Sequence, residues 1–292
     1  MPRHRDCYGV IMKKKSIVEF SFLFPALALF ILFVLYPFIE GIPISFTNWD
    51  GLSDNVKYVG FRNYVRMFSD RHFVNATSNT LIFMVIEVVF SNLLGLFFAL
   101  LIAKPSRSNN IIRTMIFTPF CLSLLLSAYV WKYIYSDFFY GVLGIPSPLG
   151  DKKWVMAGLA NIAVWRDAGY CMVVYIAAIQ GISKEYYEVG DIEGCNIIQR
   201  FRYITLPMIG PAITANVTLL LSWGMKVFDY PMAATSGGPG RSSETVAMLI
   251  YGNLFTYFKA GYGQAIAIVF TISIFLLSFI VSYNLRKREV EL

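Results

Sequence analysis

Charged residues are scarce in this chain of 292 amino acids. They make up 15% of the sequence, whereas a soluble domain averages about 25%. Hydrophobic residues make up 57%, which indicates an integral membrane protein. The net charge of +7 does not predict a nucleic-acid partner, because nucleic-acid binding needs basic residues gathered on a soluble face and the sequence leaves no soluble domain to carry one.

Cysteine and histidine are also sparse, with four and two residues. We expect free thiols and no disulfide framework, because two cysteines fall inside apolar runs and two on the predicted cytoplasmic side: Cys121, Cys171, Cys7 and Cys195. His4 and His72 lie on opposite sides of the predicted membrane, which excludes a histidine-based metal site. The glycine-rich segment SGGPGRSS lacks the Gly-x4-Gly-Lys-Ser/Thr spacing of a nucleotide-binding loop.

Long apolar runs are what the sequence does contain. Windows of about 20 residues predict six transmembrane helices: Ile17–Phe38, Thr80–Ala103, Ile111–Tyr135, Met156–Gly181, Ile209–Tyr230 and Gln264–Leu285. The first run is long and no small-x-small cleavage site follows it, so we predict a retained anchor and not a signal peptide. The predicted fold class is an all-α integral membrane protein.

Basic residues predict the orientation of these helices. An even number of spans places both termini on one side, and basic residues at both ends assign that side to the cytoplasm: Arg3, Arg5, Lys13, Lys14, Lys15, Arg286, Lys287 and Arg288. Residues 1–16 are then a cytoplasmic tail, 17–285 the transmembrane domain and 286–292 a basic cytoplasmic tail.

A polar segment, residues 183–207, separates the fourth and fifth runs. Ser183 is a suitable N-cap for a short helix, and Gly194 is where that helix should end. A second helix over 196–203 is expected to end before Pro207 and to carry one apolar face, made of Ile197, Ile198, Phe201 and Ile204. The pattern predicts a helix–glycine–helix hairpin that projects into the cytoplasm and docks onto a partner.

The hairpin also resembles a known motif. Its pattern Glu188-x3-Asp191-Ile192-x-Gly194, followed by an Ile-x-Leu-Pro ending, is similar to the EAA loop in the transmembrane subunits of bacterial ATP-binding-cassette importers. The match departs from the family at Val189 and Gly190, where two alanines are usual, and an interior glycine costs a helix roughly 0.5–1 kcal/mol.

That resemblance implies a type I importer permease fold in the bacterial inner membrane, with the hairpin as the coupling helix that sits in a cleft of an ATPase subunit. The residues it implies for ATPase coupling are Tyr187, Glu188, Asp191, Gly194, Phe201, Leu206 and Pro207. The implied partners are a second homologous permease subunit, two ATPase subunits that hold ATP and magnesium, and an extracytoplasmic solute-binding protein. The chain itself is then not an enzyme and binds no cofactor or metal.

Two further segments resemble the sugar-transporting branch of this family. The outer segment over about 40–79 contains GFRNYVRMFSD, and Lys226-Val-Phe228-Asp229 precedes the sequence TSGGP. The outer segment also fits a second interpretation, an amphipathic helix at the membrane surface with a lipid-facing side made of Phe61, Tyr64, Val65 and Phe68. Lys226 and Asp229 are three residues apart and predict a local ion pair.

Polar residues inside the apolar runs are candidates for a solute pathway. Glu87 is a functional hypothesis by default, since an ionisable group in lipid costs on the order of 2.5 kcal/mol or more; the alternative is a hydrogen bond to a neighbouring helix. The candidate sugar pathway combines aromatic, amide and carboxylate groups: Asn161, Trp165, Asp167, Tyr170, Asn216 and Trp223. Packing between subunits would explain the same residues.

The function implied is import of a sugar or oligosaccharide through one permease of a pair, driven by ATP hydrolysis on separate subunits. Glycerol-phosphate-like or uronic-acid solutes are alternative substrates. Outside the family, a channel, a secondary carrier or a membrane-embedded enzyme remain alternatives. An enzyme would need convergent acids, histidines or metal ligands within the bilayer, and a carrier commonly shows an internal repeat, which the sequence lacks.

Overall fold

The computed structural model describes residues 20–287 and residue 289. Within these residues the regular structure is helical, with one isolated antiparallel bridge between Thr47 and Tyr58. Four helices are long and apolar enough to cross a membrane, and two bent helix pairs bring the candidate spans to six. The predicted six-span, all-α fold class is confirmed if each bent pair counts as one span. The predicted N-terminal tail and most of residues 288–292 lie outside the described residues.

Most of the helices are joined by short connections. The longer connections, which include residues 46–61 and 236–245, lie together on one side of the bundle. In the first half of the chain they are α1 (Phe20–Ser45), α2 (Arg62–Ser69), α3 (Arg71–Ile102), α4 (Arg107–Phe117), α5 (Leu124–Tyr133) and α6 (Val155–Gly181). In the second half they are α7 (Lys184–Ile192), α8 (Ile197–Met208), α9 (Gly210–Met225), α10 (Asp229–Thr235), α11 (Val246–Tyr251) and α12 (Ala260–Arg286).

The third predicted span is not a straight helix. α4 and the helical segment beginning with α5 form an angle of 100°. Pro119 has no N–H group to donate, so the chain passes through a 3₁₀ turn at Thr118–Cys121. Ser123 then caps α5 by accepting a hydrogen bond from the backbone N–H of Leu126 at 3.2 Å.

The fifth predicted span, Ile209–Tyr230, is shorter than the sequence indicates. α9 ends at Met225, and α10 begins at Asp229 after a break in the helix. At its other end α9 forms an angle of 65° with α8. Pro207, predicted to close the hairpin, lies inside the helical run, which ends one residue later at Met208. The bend therefore falls at Ile209, after the proline.

Small residues bring α3, α6 and α9 close together. A Cβ atom added to Gly95 of α3 would lie 2.5 Å from the Cβ of Cys171 and 2.9 Å from the backbone nitrogen of Met172, both on α6. One turn further on, Ala99 is fully buried, as the small-x3-small pattern predicts. On α9, a Cβ at Gly224 would lie 2.9 Å from the Cα of Met84 on α3. These three helices form the centre of the bundle.

Hydrogen bonds join α2 of the outer segment to the end of α1 and the residues that follow it. The side-chain amide of Asn63 donates to the carbonyls of Ser45 and Thr47, both at 2.8 Å. The predicted lipid-facing side is only partly correct, since Phe61, Val65 and Phe68 are exposed but Tyr64 is half-buried with its hydroxyl 2.6 Å from Ser45 Oγ. Asn63 and Met67 form the buried face of this short amphipathic helix.

We expect Gly95→Ala to destabilise the folded protein. The new methyl group collides with the backbone of α6, and overpacking costs about 1–3 kcal/mol, more than the roughly 1 kcal/mol that alanine gains over glycine in helix propensity. Thermal unfolding of the detergent-purified chain measures the effect. Gly181→Ala is the matched control, because no heavy atom lies within 4 Å of a Cβ at that position. Equal melting temperatures for the two variants would show that the α3–α6 contact is not close packed.

Candidate functional site

A cavity of about 270 Å³ opens where α9 breaks. Its wall is formed by α3, the bend after α4, the middle of α6 and the residues that follow α9. The side chains on this wall combine aromatic and charged groups: Phe83, Glu87, Phe120, Arg166, Asp167, Trp223, Lys226, Phe228, Asp229 and Tyr230. A mixed lining of this kind suits a ligand with both polar edges and apolar faces.

An ion pair and an unpartnered carboxyl group lie at the centre of this wall. Arg166 Nη1 is 2.6 Å from Asp167 Oδ1, and the Asp167 side chain is 2% exposed. The Glu87 carboxyl group lies beside that of Asp167 and is also buried, but its Oε2 atom has no hydrogen-bond partner in the described residues. Buried polar groups are normally satisfied, so Glu87 and the Tyr230 hydroxyl, which also has no hydrogen-bond partner in the described residues, are the groups on this wall that need one.

Gly224 makes room for that carboxyl group. A Cβ at this position would lie 2.4 Å from Glu87 Oε2, so only glycine lets the side chain reach across from α3 to α9. The bend after α4 also holds Arg166 in place. The Nε of Arg166 donates to the carbonyl of Leu122 at 3.3 Å, and its guanidinium lies 4.5 Å from the ring centroid of Phe120. The polar centre of the cavity thus depends on close backbone approach and on the Pro119 bend.

An aromatic cluster continues the wall on the side of the cavity nearer the hairpin. The Phe120 ring lies 5.1 Å from the Tyr170 ring and 6.2 Å from the Trp223 ring, and Tyr170 and Trp223 are 5.6 Å apart between centroids. Such rings offer flat apolar faces to a ligand. Phe120 belongs to the bent span and has no polar signal in the sequence, which is why sequence reasoning missed it.

The structure separates the six predicted pathway residues into two sets. Asp167 and Trp223 are on the cavity wall and Tyr170 stacks against it. Asn161 instead donates to the Tyr135 hydroxyl at 2.9 Å, and Trp165 packs edge-on against Trp131 at 5.8 Å. Neither of these two lines the cavity.

Asn216 is also away from the cavity. It is fully buried between α9 and α6, where its amide donates to the carbonyl of Cys171 at 3.4 Å. Lys226 and Asp229 do line the cavity, but the predicted ion pair between them is wrong. The ion pairs found in residues 20–287 involve neither residue, because the helix breaks between them.

The hairpin of α7 and α8 is a second candidate site, at the end of the bundle where α3 and α6 stop. The predicted cap and turn are confirmed: Ser183 Oγ accepts from the backbone N–H of Glu185 at 3.4 Å, and Gly194 has φ +74°. A capping box at Asn196 and Gln199 starts α8, with hydrogen bonds of 2.9 and 2.8 Å.

Side-chain contacts between the two helices make the hairpin a rigid unit. Asp191 of α7 forms an ion pair with Arg200 of α8, and the hydroxyls of Tyr187 and Thr205 are 3.1 Å apart. Gly190 is buried beneath Ile204, whose Cδ1 would lie 2.9 Å from a Cβ at that position. The glycine in place of the usual alanine therefore fits the larger side chain packed over it.

The hairpin exposes three isoleucine side chains almost completely. Ile192, Ile197 and Ile198 are 85%, 84% and 76% exposed. The predicted single apolar face is split, because Phe201 and Ile204 turn inward while the two isoleucines at the start of α8 point out. Glu188 is exposed on α7. Exposed apolar side chains on a rigid polar segment are typical of a protein interaction site.

Comparison with known proteins gives consistent matches. The family model described as "Binding-protein-dependent transport system inner membrane component" matches residues 91–290. The "Probable starch degradation products transport system permease protein AmyD" of Thermoanaerobacterium thermosulfurigenes is 33% identical, over 96% of this chain and 97% of that protein. The "Lactose transport system permease protein LacF" of Rhizobium radiobacter is 30% identical, over 92% of this chain and 94% of that protein.

The fold also matches a solved structure along most of its length. A chain of a bacterial ABC transporter involved in the import of the acidic polysaccharide alginate superposes with a TM-score of 0.79 at 20% sequence identity. The match covers 94% of this chain and 96% of the other. At this identity the likeness concerns the fold, which agrees with the type I importer permease architecture.

We expect Arg166 and Asp167 to be strongly coupled in stability. Removing one partner of a buried pair leaves an uncompensated charge and is costly, whereas removing both leaves none. In a double-mutant cycle of Arg166→Gln and Asp167→Asn, the coupling free energy should be about 1–3 kcal/mol. Thermal or denaturant unfolding in detergent measures all four proteins. Additive effects would mean that Glu87, and not Asp167, balances the arginine.

Proposed function

Because the chain belongs to the family of inner membrane components of binding-protein-dependent transport systems, we propose that it forms one half of a pathway that imports a sugar or oligosaccharide. It is a transport component and not an enzyme, as its relatives are permease proteins. Membership of this family excludes the secondary carrier, the channel and the membrane-embedded enzyme that its sequence composition also allowed.

The observation that carries the proposal is the rigid hairpin with its exposed isoleucines. The surface offered by Ile192, Ile197 and Ile198 is too apolar to remain in water. It fits the groove of a second protein in the way that helix-in-groove interactions do, with a few apolar anchors on a folded helical unit. We assign this surface to the ATPase subunits, which hold the ATP and magnesium, while this chain binds neither.

The hairpin is connected directly to α6 and α9, two of the helices that contribute residues to the cavity wall. From Asp167, α6 continues to its end at Gly181, and two residues separate it from α7. On the other side of the hairpin, α9 begins at Gly210, shortly after the end of α8, and carries Trp223. At 1.5 Å per residue, the hairpin lies roughly 20 Å from the cavity along each helix. Because these connections are only one or two residues long, a displacement of the hairpin tilts the cavity wall.

Alternating access follows from this geometry. ATP-driven closure of the ATPase subunits moves the hairpin, α6 and α9 tilt together, and the cavity opens to one side of the membrane or the other. A second permease subunit supplies the opposite wall, and an extracytoplasmic binding protein delivers the solute. In this arrangement both termini and the hairpin are cytoplasmic, in the bacterial inner membrane, as the basic residues at the two ends indicate.

The cavity chemistry favours an uncharged sugar. Aromatic rings stack on the apolar faces of sugar rings, and buried carboxyl groups accept hydrogen bonds from hydroxyls. The wall carries two basic residues, and one of them is already paired with Asp167. For an anionic solute such as a uronic acid or a glycerol phosphate, this leaves Lys226 as the unpaired base on the wall. The relatives named for starch products and lactose support the same class.

We predict that Ile197→Asp with Ile198→Asp prevents binding of the ATPase subunits. Two carboxylates replace two apolar anchors, so the groove would have to desolvate charge. Co-purification of the ATPase subunits with the tagged chain is the measurement, and insertion into the membrane is checked by the yield of folded chain.

The matched control is Val142→Asp with Ile145→Asp. It makes the same chemical change at two apolar residues that are 70% and 48% exposed in the loop between α5 and α6, on the other side of the membrane. The control should retain the ATPase subunits. Undiminished ATPase binding by the hairpin variant would refute the docking surface and, with it, the proposed mechanism of coupling.

Substitutions in the aromatic wall should lower transport, whereas substitutions of Asn161 and Trp165, two of the three predicted residues that lie away from the cavity, should not. We expect Trp223→Ala and Tyr170→Ala each to lower solute-stimulated ATP hydrolysis by about fivefold, since a stacked ring contributes about 1 kcal/mol to the ligand contact. Asn161→Ala and Trp165→Ala, which alter side chains outside the cavity, serve as controls and should change it far less. Equal losses in all four variants would place the pathway elsewhere.

A further inference from the structure

A second polar pocket lies at the opposite end of α3 from the hairpin. It has a volume of about 680 Å³ and is enclosed by α2, the first turn of α3, the 236–245 loop and the chain between α11 and α12. The α3 helix is 32 residues long, and its other end contacts the hairpin side of the bundle near Lys184 and Tyr187. The pocket and the hairpin are therefore at opposite membrane surfaces.

Basic side chains dominate this pocket: Arg66, Arg71, His72, Arg241 and Lys259. The only acidic residue among its described lining residues is Asp70, and Glu244 lies behind the pocket. Four permanent cations thus face two carboxylates, so the site carries an excess of positive charge. We call it the basic pocket.

Both carboxylates are already occupied by groups of the protein. Asp70 accepts hydrogen bonds from the Tyr262 hydroxyl at 2.8 Å and from the backbone N–H of His72 at 2.9 Å. Burial opposes its ionisation, yet these hydrogen bonds outweigh burial and hold the pKa of Asp70 below its ordinary value. Glu244 accepts two hydrogen bonds of 2.7 Å from Arg241, which raise the pKa of that arginine further.

The remaining cations have no carboxylate partner in residues 20–287. Arg71 and Lys259 are exposed and take part in no ion pair or side-chain hydrogen bond there, and Arg66 lies 4.9 Å from the ring centroid of Tyr262. Three unpaired cations around one concave surface repel each other, and a bound anion would relieve that repulsion. A phosphate-bearing group is the kind of anion that several arginine and lysine side chains bind together.

The depth of the pocket identifies the source of this phosphate. Arg71 is the first residue of a membrane-spanning helix and Lys259 directly precedes another, so both lie in the polar turns that precede the apolar runs beginning at Thr80 and Gln264. α2, with its exposed apolar side, lies along the same surface. Next to the cations, Phe68, Val74 and Phe258 are 66%, 56% and 51% exposed, as expected of side chains in contact with acyl chains at a membrane surface.

We propose that the basic pocket binds the headgroup phosphate of an anionic phospholipid in the extracytoplasmic leaflet, through Arg66, Arg71 and Lys259. The apolar side chains beside it contact the acyl chains of the same lipid. The bound headgroup ties α2 and the outer ends of α3 and α12 together at the surface opposite the hairpin. The assignment to the extracytoplasmic leaflet rests on the proposed orientation, with the hairpin in the cytoplasm, but the site is independent of the proposed sugar pathway and of the ATPase interface.

Native mass spectrometry of the full chain, purified with its co-expressed subunits, tests this assignment. Phosphatidylglycerol or phosphatidylcholine is added at equal concentration and bound lipid is counted. We expect phosphatidylglycerol to be retained preferentially, and Arg71→Gln with Lys259→Gln to weaken its binding by about thirtyfold, since each basic residue near an anionic membrane surface contributes about 1 kcal/mol. Phosphatidylcholine binding should not change.

Lys57→Gln with Arg62→Gln is the matched control. It removes the same charge from two exposed residues of the same outer segment that do not line the pocket, and it should retain phosphatidylglycerol. Equal loss of this lipid in the two double variants would reduce the effect to net charge and overturn the proposal.

Two other outcomes would reassign the pocket. If millimolar inorganic phosphate displaces phosphatidylglycerol, the ligand is a free anion and not a lipid. If Arg71→Gln with Lys259→Gln leaves lipid binding unchanged but weakens binding of the extracytoplasmic binding protein, the pocket is a protein contact. Either result would contradict the lipid assignment, and neither affects the ATPase test on the hairpin.

Discussion

The close approach of α3 to α6 and α9 is the contact on which the rest of this structure depends. In a bilayer, burial of apolar surface gives little net drive for helices to associate, because lipid tails are as apolar as leucine, so packing and polar contacts must hold them together. Gly95 brings α3 against the backbone of α6, and Gly224 brings α9 against α3. Only at this separation do Glu87 and Asp167 become neighbours, so the same glycines that pack the bundle also assemble its polar centre.

Breaks in the helices open the bundle where it would otherwise be solid. The Pro119 turn directs Phe120 and the Leu122 carbonyl inward, and the end of α9 at Met225 leaves Lys226, Val227 and Phe228 to form the other wall of the cavity. Irregular backbone at membrane depth is tolerated where it lines a cavity, because polar groups there can find partners. The cavity therefore lies between the Pro119 turn and the end of α9. The helices α6 and α9 connect its wall to the hairpin.

The sequence by itself determined the helical class, the number of spans and the hairpin. These features are local: apolar runs of bilayer length, the Ser183 cap, the Gly194 turn at φ +74° and the capping box at Asn196 each depend on neighbouring residues. For the same reason the family resemblance was recognisable from the hairpin motif. Of the candidate pathway residues, the structure brings Asp167, Tyr170 and Trp223 together in one region, and their role in a pathway stays a prediction.

Only the tertiary structure decided which polar residues face one another. Asn161 and Trp165 lie one turn apart on the same side of α6, where they face Tyr135 and Trp131. Asp167 lies on another side of the helix, towards the cavity, and pairs with Arg166. Lys226 and Asp229 have ion-pair spacing but are separated by a helix end. The basic pocket unites Arg71 with Lys259, which are far apart in sequence and meet where two spans reach the same membrane surface. Contacts between residues that are far apart in sequence depend on how the helices pack, and the spacing of residues within one helix does not predict them.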